Sequence, residues 1–130
     1  MDVVHYIAAR QTGKTQKAVE LFWEYNDPNT YVVVANPNLK RHIKNRYGIP
    51  SQQILLPRAT DFCSREIQTL IVDDYLTINK NNNEGFLRFM FPAMAINHGR
   101  IFLLSTPNKK YTEDEIIRNA ELFLFDNHSN

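Results

Sequence analysis

The chain has few of the features that mark disulfide-linked, metal-rich or membrane proteins. Its single cysteine, Cys63, excludes an internal disulfide and a metal site built from several thiolates, which suits a reducing cytoplasm. No segment approaches the ~20 apolar residues of a membrane span. Residues 1–3 lead into no basic and apolar signal region. We therefore expect a cytoplasmic protein with no membrane partner.

A strong excess of charge of either sign is also missing. Lysine and arginine together number 15, and aspartate and glutamate 14, so the formal net charge is +1. Proteins dedicated to coating DNA carry a strong basic excess, so any contact with nucleic acid must come from a local cluster of cations. The 130 residues, 43% of them apolar, are enough for one ordinary hydrophobic core. We expect a single domain over residues 1–130.

Short apolar runs rich in β-branched residues alternate with segments of helical character. Five runs predict strands, at residues 3–7, 30–35, 69–73, 101–105 and 122–125. Residues 53–56 fit a short strand or a connector equally well. Helices are predicted over residues 14–25, 36–47 and 84–97, and after the capping box at 112–115. This alternation is typical of an α/β fold with a mainly parallel sheet covered by helices.

The segment between the first strand and the first helix fits a phosphate-binding loop. Residues 8–15 match the pattern GxxxxGK[ST], except that Ala8 replaces the first glycine. Such a loop turns backbone N–H groups toward phosphate oxygens and aims a helix N-terminus at the negative charge. Gly13 would allow close backbone approach, Lys14 would contact the β- and γ-phosphates, and Thr15 would offer its hydroxyl to Mg²⁺. The alternative is an ordinary strand, turn and helix with an exposed lysine.

Two acids end the strand predicted at residues 69–73. An apolar strand that closes on Asp73 and Asp74 fits the Walker B arrangement, in which a buried strand carries a carboxylate to the carboxyl edge of the sheet. Asp73 would hold Mg²⁺, and Asp74 would orient or deprotonate the attacking water. Two solvated acids at a strand end are common. Acids about sixty residues after a phosphate loop, with a strand and a helix between, are much less common and favour the binding of a nucleotide with Mg²⁺.

A third element follows the strand predicted at residues 101–105, where the chain reads Ser-Thr-Pro-Asn at positions 105–108. With it the chain resembles the ATPase domain of the large terminase subunit, the motor that packages DNA into viral capsids. In that family the phosphate loop frequently lacks the first glycine and has an Arg-Gln-x-Gly-Lys-[Ser/Thr] core, as residues 10–15 do here. The strand after Walker B ends there in a Thr-Thr-Pro-Asn-like coupling motif. The resemblance follows motif order over most of the chain, on about twenty residues.

The resemblance implies a RecA-like P-loop NTPase fold with helices on both faces of the sheet and strand order 5-1-4-3-2. It implies an Mg²⁺-dependent ATPase that acts on double-stranded DNA as a homo-oligomeric ring, in the host cytoplasm, with a portal or nuclease partner. The loop residues expected to contact ATP are Arg10, Gln11, Thr12, Gly13, Lys14 and Thr15. Thr15 and Asp73 are the expected metal ligands. The expected catalytic residues are Arg10, Lys14 and Asp74.

Two of these roles have structural alternatives. Arg10 would contact the γ-phosphate as an arginine finger, because its guanidinium is planar and always charged, or it would form a salt bridge that stiffens the loop. The resemblance makes the segment from Ser105 through Thr106 to Asn108 the link between nucleotide state and movement. The alternative for Thr106 and Asn108 is turn chemistry around Pro107.

The chain departs from the family pattern in three respects. Family members usually have glutamate at the position of Asp74, which is one methylene shorter, so hydrolysis would be slow or the water differently placed. We expect neither the adenine-contacting segment that many relatives carry upstream nor a nuclease domain. The chain would then be a motor domain reduced to its ATPase core, or one subunit of a system whose nuclease is a separate protein.

Two other functions stay open. A nucleotide-binding regulator or assembly protein with little turnover would also explain Asp74. A small nucleotide kinase would need an arginine-rich lid, for which the sequence holds no convincing segment.

Basic residues cluster on the helix predicted at residues 36–47. Four cations fall within seven positions, at Lys40, Arg41, Lys44 and Arg46, and leave Leu39, Ile43 and Tyr47 for the core. This cluster would contact DNA phosphates, and the alternative is a solvated helix face. Arg58 and Arg65 flank a predicted loop, where they would reach a neighbouring subunit's nucleotide or serve as surface charges.

Overall fold

The strands of the computed structural model form one parallel sheet, which confirms an α/β fold. The structure describes residues 2–7, 14–62, 65–74 and 99–105. The strands in this part of the chain are β1 (Asp2–Ile7), β2 (Thr30–Val33), β3 (Ile54–Leu55), β4 (Thr69–Val72) and β5 (Arg100–Ser105). Their order across the sheet is β1-β5-β4-β2-β3, and every neighbouring pair is parallel.

Three helices are described, α1 (Lys14–Tyr25), α2 (Pro37–Tyr47) and the single turn α3 (Ala59–Phe62). Local sequence explains both ends of α2. The Asn36 side chain accepts a hydrogen bond of 2.9 Å from the backbone N–H of Leu39, and Pro37 occupies the first helical position. Gly48 ends the helix in the left-handed conformation, with φ +74°, and its N–H donates to the carbonyl of Lys44.

The strands lie where the sequence predicts them, with small differences at their ends. β2 stops at Val33 and β4 at Val72, short of the predicted ends at residues 35 and 73, although the N–H groups of Val34 and Asp73 still donate to the carbonyls of Leu55 and Val33. β3 decides the open question at residues 53–56 in favour of a short strand, which takes the edge position beside β2. The predicted order places residues 3–7, 101–105, 69–73 and 30–35 side by side, as β1-β5-β4-β2 are. It also puts residues 30–35 at the edge of the sheet, whereas β3 lies beyond β2 among the described strands.

The remaining predicted elements cannot be compared in this way. The strand at residues 122–125, the helix at 84–97 and the helix after residues 112–115 lie outside the described residues. The full order 5-1-4-3-2 and the RecA-like assignment therefore stay predictions.

β2, β3, β4 and β5 are buried on both faces of the sheet. One face packs against α1 and α2 through a cluster of buried side chains: Ala18, Val19, Leu21, Phe22, Val32, Val34, Ile43, Ile54, Ile71, Phe102 and Leu104. The alternate strand residues, which point to the other face, are buried too: Val33, Leu55, Leu70, Val72, Ile101 and Leu103. Burial on two faces explains the near-continuous apolar runs in the sequence. The prediction of helices on both faces is tested only for the face that holds α1 and α2.

The predicted loop between Arg58 and Arg65 is wrong in one respect, because it contains the helical turn α3. Asp61 bonds this turn to the segment that follows β3. One oxygen of its carboxylate accepts from the backbone N–H of Leu56 at 2.8 Å, and the other accepts from Nε of Arg58 at 2.9 Å. Sequence periodicity could not reveal a single turn fixed by such contacts.

The Arg65 side chain makes three contacts within the chain. Its Nε donates to the carbonyl of Asp61 at 2.5 Å, and its Nη1 donates to the carbonyl of Gln52 at 3.2 Å. Its guanidinium also lies 5.4 Å from the centre of the Tyr31 ring. Arg58 and Arg65 both contact their own chain, which favours the structural alternative for the two arginines.

Asp61→Ala is expected to lower the free energy of unfolding by about 1–3 kcal/mol, because the N–H of the buried Leu56 loses its acceptor. Arg58→Ala, the matched control, removes only a salt bridge whose arginine is 62% exposed and should cost about 1 kcal/mol or less. Urea unfolding of both variants measures the difference. Equal losses would show that the bond to Leu56 contributes nothing of its own.

Candidate functional site

The carboxyl ends of the parallel strands meet at one edge of the sheet. Ile7 at the end of β1 pairs in register with Ser105 at the end of β5, and Val72 of β4 pairs with Leu103. Asp73 and Asp74 follow β4 and therefore leave the sheet at this edge. In open α/β sheets, ligands bind at the carboxyl ends of the strands.

Thr15 and Asp73 are in contact. The Thr15 hydroxyl donates a hydrogen bond of 3.1 Å to a carboxylate oxygen of Asp73, across 58 positions of sequence. Thr15 is the second residue of α1, and Asp73 is the residue after β4. The two predicted metal ligands thus lie side by side where a helix begins and a strand ends.

The position of Asp73 follows from the sheet. Its backbone N–H donates to the carbonyl of Val33 at 3.0 Å, so the peptide after β4 remains attached to β2. Alternation along the strand turns Ile71 toward α1 and Val72 away from it, which returns Asp73 to the side of α1. Its side chain is only 4% exposed. A buried carboxylate is costly unless polar groups compensate it, and the Thr15 hydroxyl is one such group.

This donor set fits Mg²⁺. The ion prefers oxygen ligands and is usually held by one or two carboxylates together with substrate phosphates and water. A threonine hydroxyl and an aspartate carboxylate beside the first turn of a helix supply the protein's share of such a set. Among the described residues, no group of three or more histidine, cysteine, aspartate or glutamate side chains forms a metal site.

Asp74 has an unusual backbone conformation. Its φ is +60°, in the left-handed region that most side chains avoid and that asparagine and aspartate tolerate best after glycine. The turn that follows β4 therefore disfavours glutamate at this position. This conformation gives a physical reason for aspartate where the terminase family usually has glutamate.

Ser105 brings a buried hydroxyl to the same edge. It is 1% exposed, and its Oγ forms no hydrogen bond to any described residue. The coupling role of Ser105 stays a prediction. The other two predicted coupling residues, Thr106 and Asn108, lie outside the described residues.

Most of the predicted phosphate loop lies outside the described residues as well. This applies to Arg10, Gln11, Thr12 and Gly13 and to the side chain of Lys14, whose backbone begins α1. The last described residue before it is Ile7, which the register of β1 against β5 leaves beside Ser105, at the edge that holds Thr15 and Asp73.

The predicted basic helix is confirmed as α2. Ile43 is fully buried, and Leu39 and Tyr47 pack against the core as the sequence indicates. The four cations stay on the surface, where Lys40 is partly buried and the other three, Arg41, Lys44 and Arg46, are exposed.

The sequence analysis missed the connection between this helix and the site. Asn36 caps α2 three residues after Val33, whose carbonyl accepts the N–H of Asp73. The first turn of α2 and the acidic pair therefore lie at the same edge of the sheet. The signal was present in the sequence, because Asn-Pro directly after a predicted strand marks a helix start.

Comparisons with known proteins add no relative. A scan against protein-family models and a search of curated proteins each returned no match to this chain. Within the described ranges, none of the helices has the length and apolar character needed to cross a membrane. The function is therefore inferred from the site itself.

Proposed function

We propose that this chain is an Mg²⁺-dependent P-loop ATPase of the nucleic-acid motor type, most similar to a viral DNA-packaging ATPase. The observation that carries the proposal is the 3.1 Å contact between Thr15 and Asp73. The sequence assigns these residues, independently, to the metal site of a phosphate loop and of a Walker B strand. Their meeting at the carboxyl edge of a parallel sheet is what a nucleotide site of this kind requires.

The proposal gives several residues a role in ATP hydrolysis. The N-terminus of α1 and Lys14 bind the β- and γ-phosphates, and Arg10 stabilises charge on the γ-phosphate in the transition state. Thr15 and Asp73 hold Mg²⁺, which when bound neutralises charge on the phosphate oxygens. Asp74 orients a water molecule and accepts its proton as the new bond to the γ-phosphorus forms and the bond to ADP breaks. Catalysis consists mostly of positioning and charge stabilisation.

The resemblance to terminases supports a role on double-stranded DNA, with the chain acting as a homo-oligomeric ring beside a portal or nuclease partner. The net charge of +1 implies that a single subunit binds DNA weakly, so several copies would be needed to hold it. An isolated subunit should hydrolyse ATP slowly, because an oligomeric motor completes its sites from neighbouring copies.

One observation favours a second function, that of a nucleotide-binding regulator or assembly protein with little turnover. Asp74 carries a shorter side chain than the glutamate that terminase ATPases usually have, and its left-handed backbone restricts where the carboxylate reaches. Binding of ATP would then be kept and hydrolysis largely lost. Tight binding without turnover would support the regulator, and transfer of phosphate to a nucleoside would support a nucleotide kinase.

Lys14→Ala is expected to weaken ATP binding by about 2–5 kcal/mol, because the phosphates lose a charged partner. The matched control is Lys17→Ala, one turn along α1, whose ammonium lies 4.0 Å from the Glu20 carboxylate and is 42% exposed. Titration with a fluorescent ATP analogue, and phosphate release with and without duplex DNA, compare both variants with the wild type.

Lys17→Ala should have the ATP affinity and turnover of the wild type. Duplex DNA should raise the turnover of Lys17→Ala and of the wild type. Equal ATP affinity and equal turnover in Lys14→Ala and the wild type would contradict the proposed function.

A further inference from the structure

The positive charge of α2 is not compensated by the described part of the chain. Elsewhere, Lys17 pairs with Glu20 and Arg58 pairs with Asp61. The sequence of α2 contains no acidic residue, and none of its cations forms an ion pair with a described residue. In a chain of net charge +1, this helix is therefore a local concentration of exposed positive charge.

Helix geometry divides the four cations into two groups. At about 100° per residue, Lys40, Arg41 and Lys44 fall on one flank of the helix axis, and Arg46 falls on the other. The Arg46 guanidinium lies 5.7 Å from the centre of the Tyr47 ring, which also packs edge-on against His42. Arg46 is thus engaged in stacking. The remaining three cations, Lys40, Arg41 and Lys44, form what we term the α2 strip.

The α2 strip has the spacing and chemistry of a phosphate-contact surface. Lys40 and Lys44 are about 6 Å apart along the helix axis, at 1.5 Å per residue. Each strand of a DNA duplex presents one negative charge per ~3.4 Å of helix axis, so cations about 6 Å apart can meet neighbouring phosphates of one backbone. Arg41 donates to the side-chain oxygen of Asn38, a neutral partner that orients the guanidinium and leaves its charge uncompensated.

The α2 strip also begins at the carboxyl edge of the sheet, where the proposed ATP site lies. Its first member, Lys40, donates its backbone N–H to the carbonyl of the cap residue Asn36, so the strip begins in the first turn of α2. That turn follows β2, whose Val33 carbonyl holds the N–H of Asp73. A polyanion on the strip would therefore run beside the nucleotide site rather than at the opposite end of the strands.

We propose that the α2 strip is the surface through which this chain contacts the phosphate backbone of double-stranded DNA, and that Arg46 is not part of that surface. The choice of duplex DNA as the polyanion rests on the proposed function. The contact itself depends on charge and spacing, so it confers salt-dependent affinity without sequence preference.

The test compares two variants of the full chain. In the first, the α2 strip is neutralised by Lys40→Gln, Arg41→Gln and Lys44→Gln together. In the second, Arg46→Gln removes one cation from the other flank of the same helix. Glutamine is a good helix former, so α2 should persist in both. Fluorescence anisotropy with a labelled DNA duplex, over a series of salt concentrations, gives the slope of log affinity against log salt.

The strip variant is expected to lose about 0.9 from the magnitude of that slope for each phosphate contact removed, and Arg46→Gln is expected to keep the wild-type slope. ATP affinity should stay at the wild-type value in both, which separates this result from failure of the ATP site. If the triple variant does not fold, Arg41→Gln and Lys44→Gln alone should each lower the slope by about 0.9.

Equal slopes for the wild type and the strip variant would overturn the proposal. So would unchanged DNA affinity together with a lower solution mass, because the strip would then contact a second copy of the chain. A DNA affinity lowered equally by Arg46→Gln and by one strip substitution would also overturn it. An absence of ATP hydrolysis in the wild type would count against the proposed function and leave the slope comparison intact.

Discussion

Asp74→Asn should leave ATP binding intact and reduce turnover by about 10²–10⁴-fold, the usual contribution of a positioned general base. The substitution removes the charge that accepts a proton from water and keeps the size of the side chain. It also suits the backbone, because asparagine tolerates the left-handed conformation at φ +60° as well as aspartate does. Single-turnover hydrolysis and equilibrium binding of an ATP analogue separate the two effects.

The instructive control is Asp74→Glu, which introduces the residue that terminase ATPases usually carry. Glutamate keeps the carboxylate but fits the left-handed backbone poorly, at a cost of about 1–2 kcal/mol. We expect this variant to be less stable than the wild type and no faster. If Asp74→Asn hydrolysed ATP as fast as the wild type, Asp74 would be excluded as the general base. Another residue would then have to activate the attacking water.

Asp73→Asn should abolish the dependence of ATP binding on Mg²⁺, with a loss of about 2–5 kcal/mol in the presence of the ion. The amide oxygen of asparagine still accepts the Thr15 hydroxyl, so the contact of 3.1 Å is retained while the negative charge is lost. Isothermal titration of ATP with Mg²⁺ and with a chelator measures the difference between the two conditions.

Thr15 supplies matched controls for this experiment. Thr15→Ser keeps the hydroxyl and should bind ATP with Mg²⁺ as the wild type does. Thr15→Val has the same shape without the hydroxyl and should follow Asp73→Asn. The shared metal site would be refuted if Asp73→Asn showed the Mg²⁺ dependence of the wild type.

Much of the fold could be predicted because its signals are local or periodic. The apolar runs of β2 and β4 reflect burial on both faces of the sheet. Asn36 and Gly48 mark the ends of α2 through the bonds and backbone angles that helix ends require. The meeting of Thr15 with Asp73 could be predicted because parallel strands deliver their carboxyl ends to one edge.

Other features depend on contacts that no sequence window contains. The turn α3 is fixed by Asp61 through partners on both sides of it. β3 has two residues, too few for any periodicity, and exists because β2 offers it a partner. The left-handed backbone of Asp74 arises where the chain must leave the sheet abruptly. The separation of Arg46 from the α2 strip follows from helical angles and from a stacking contact with Tyr47.

The place of β5 in the sheet has a consequence for synthesis of the protein on the ribosome. Among the described strands, β1 pairs only with β5. β5 lies between β1 and β4 in the sheet, although it is synthesised after both. A nascent chain can therefore pair β2, β3 and β4 before β1 has a neighbouring strand. Translation that stops before residue 100 leaves that neighbour missing, so β1 should be unable to join the sheet in prematurely terminated copies.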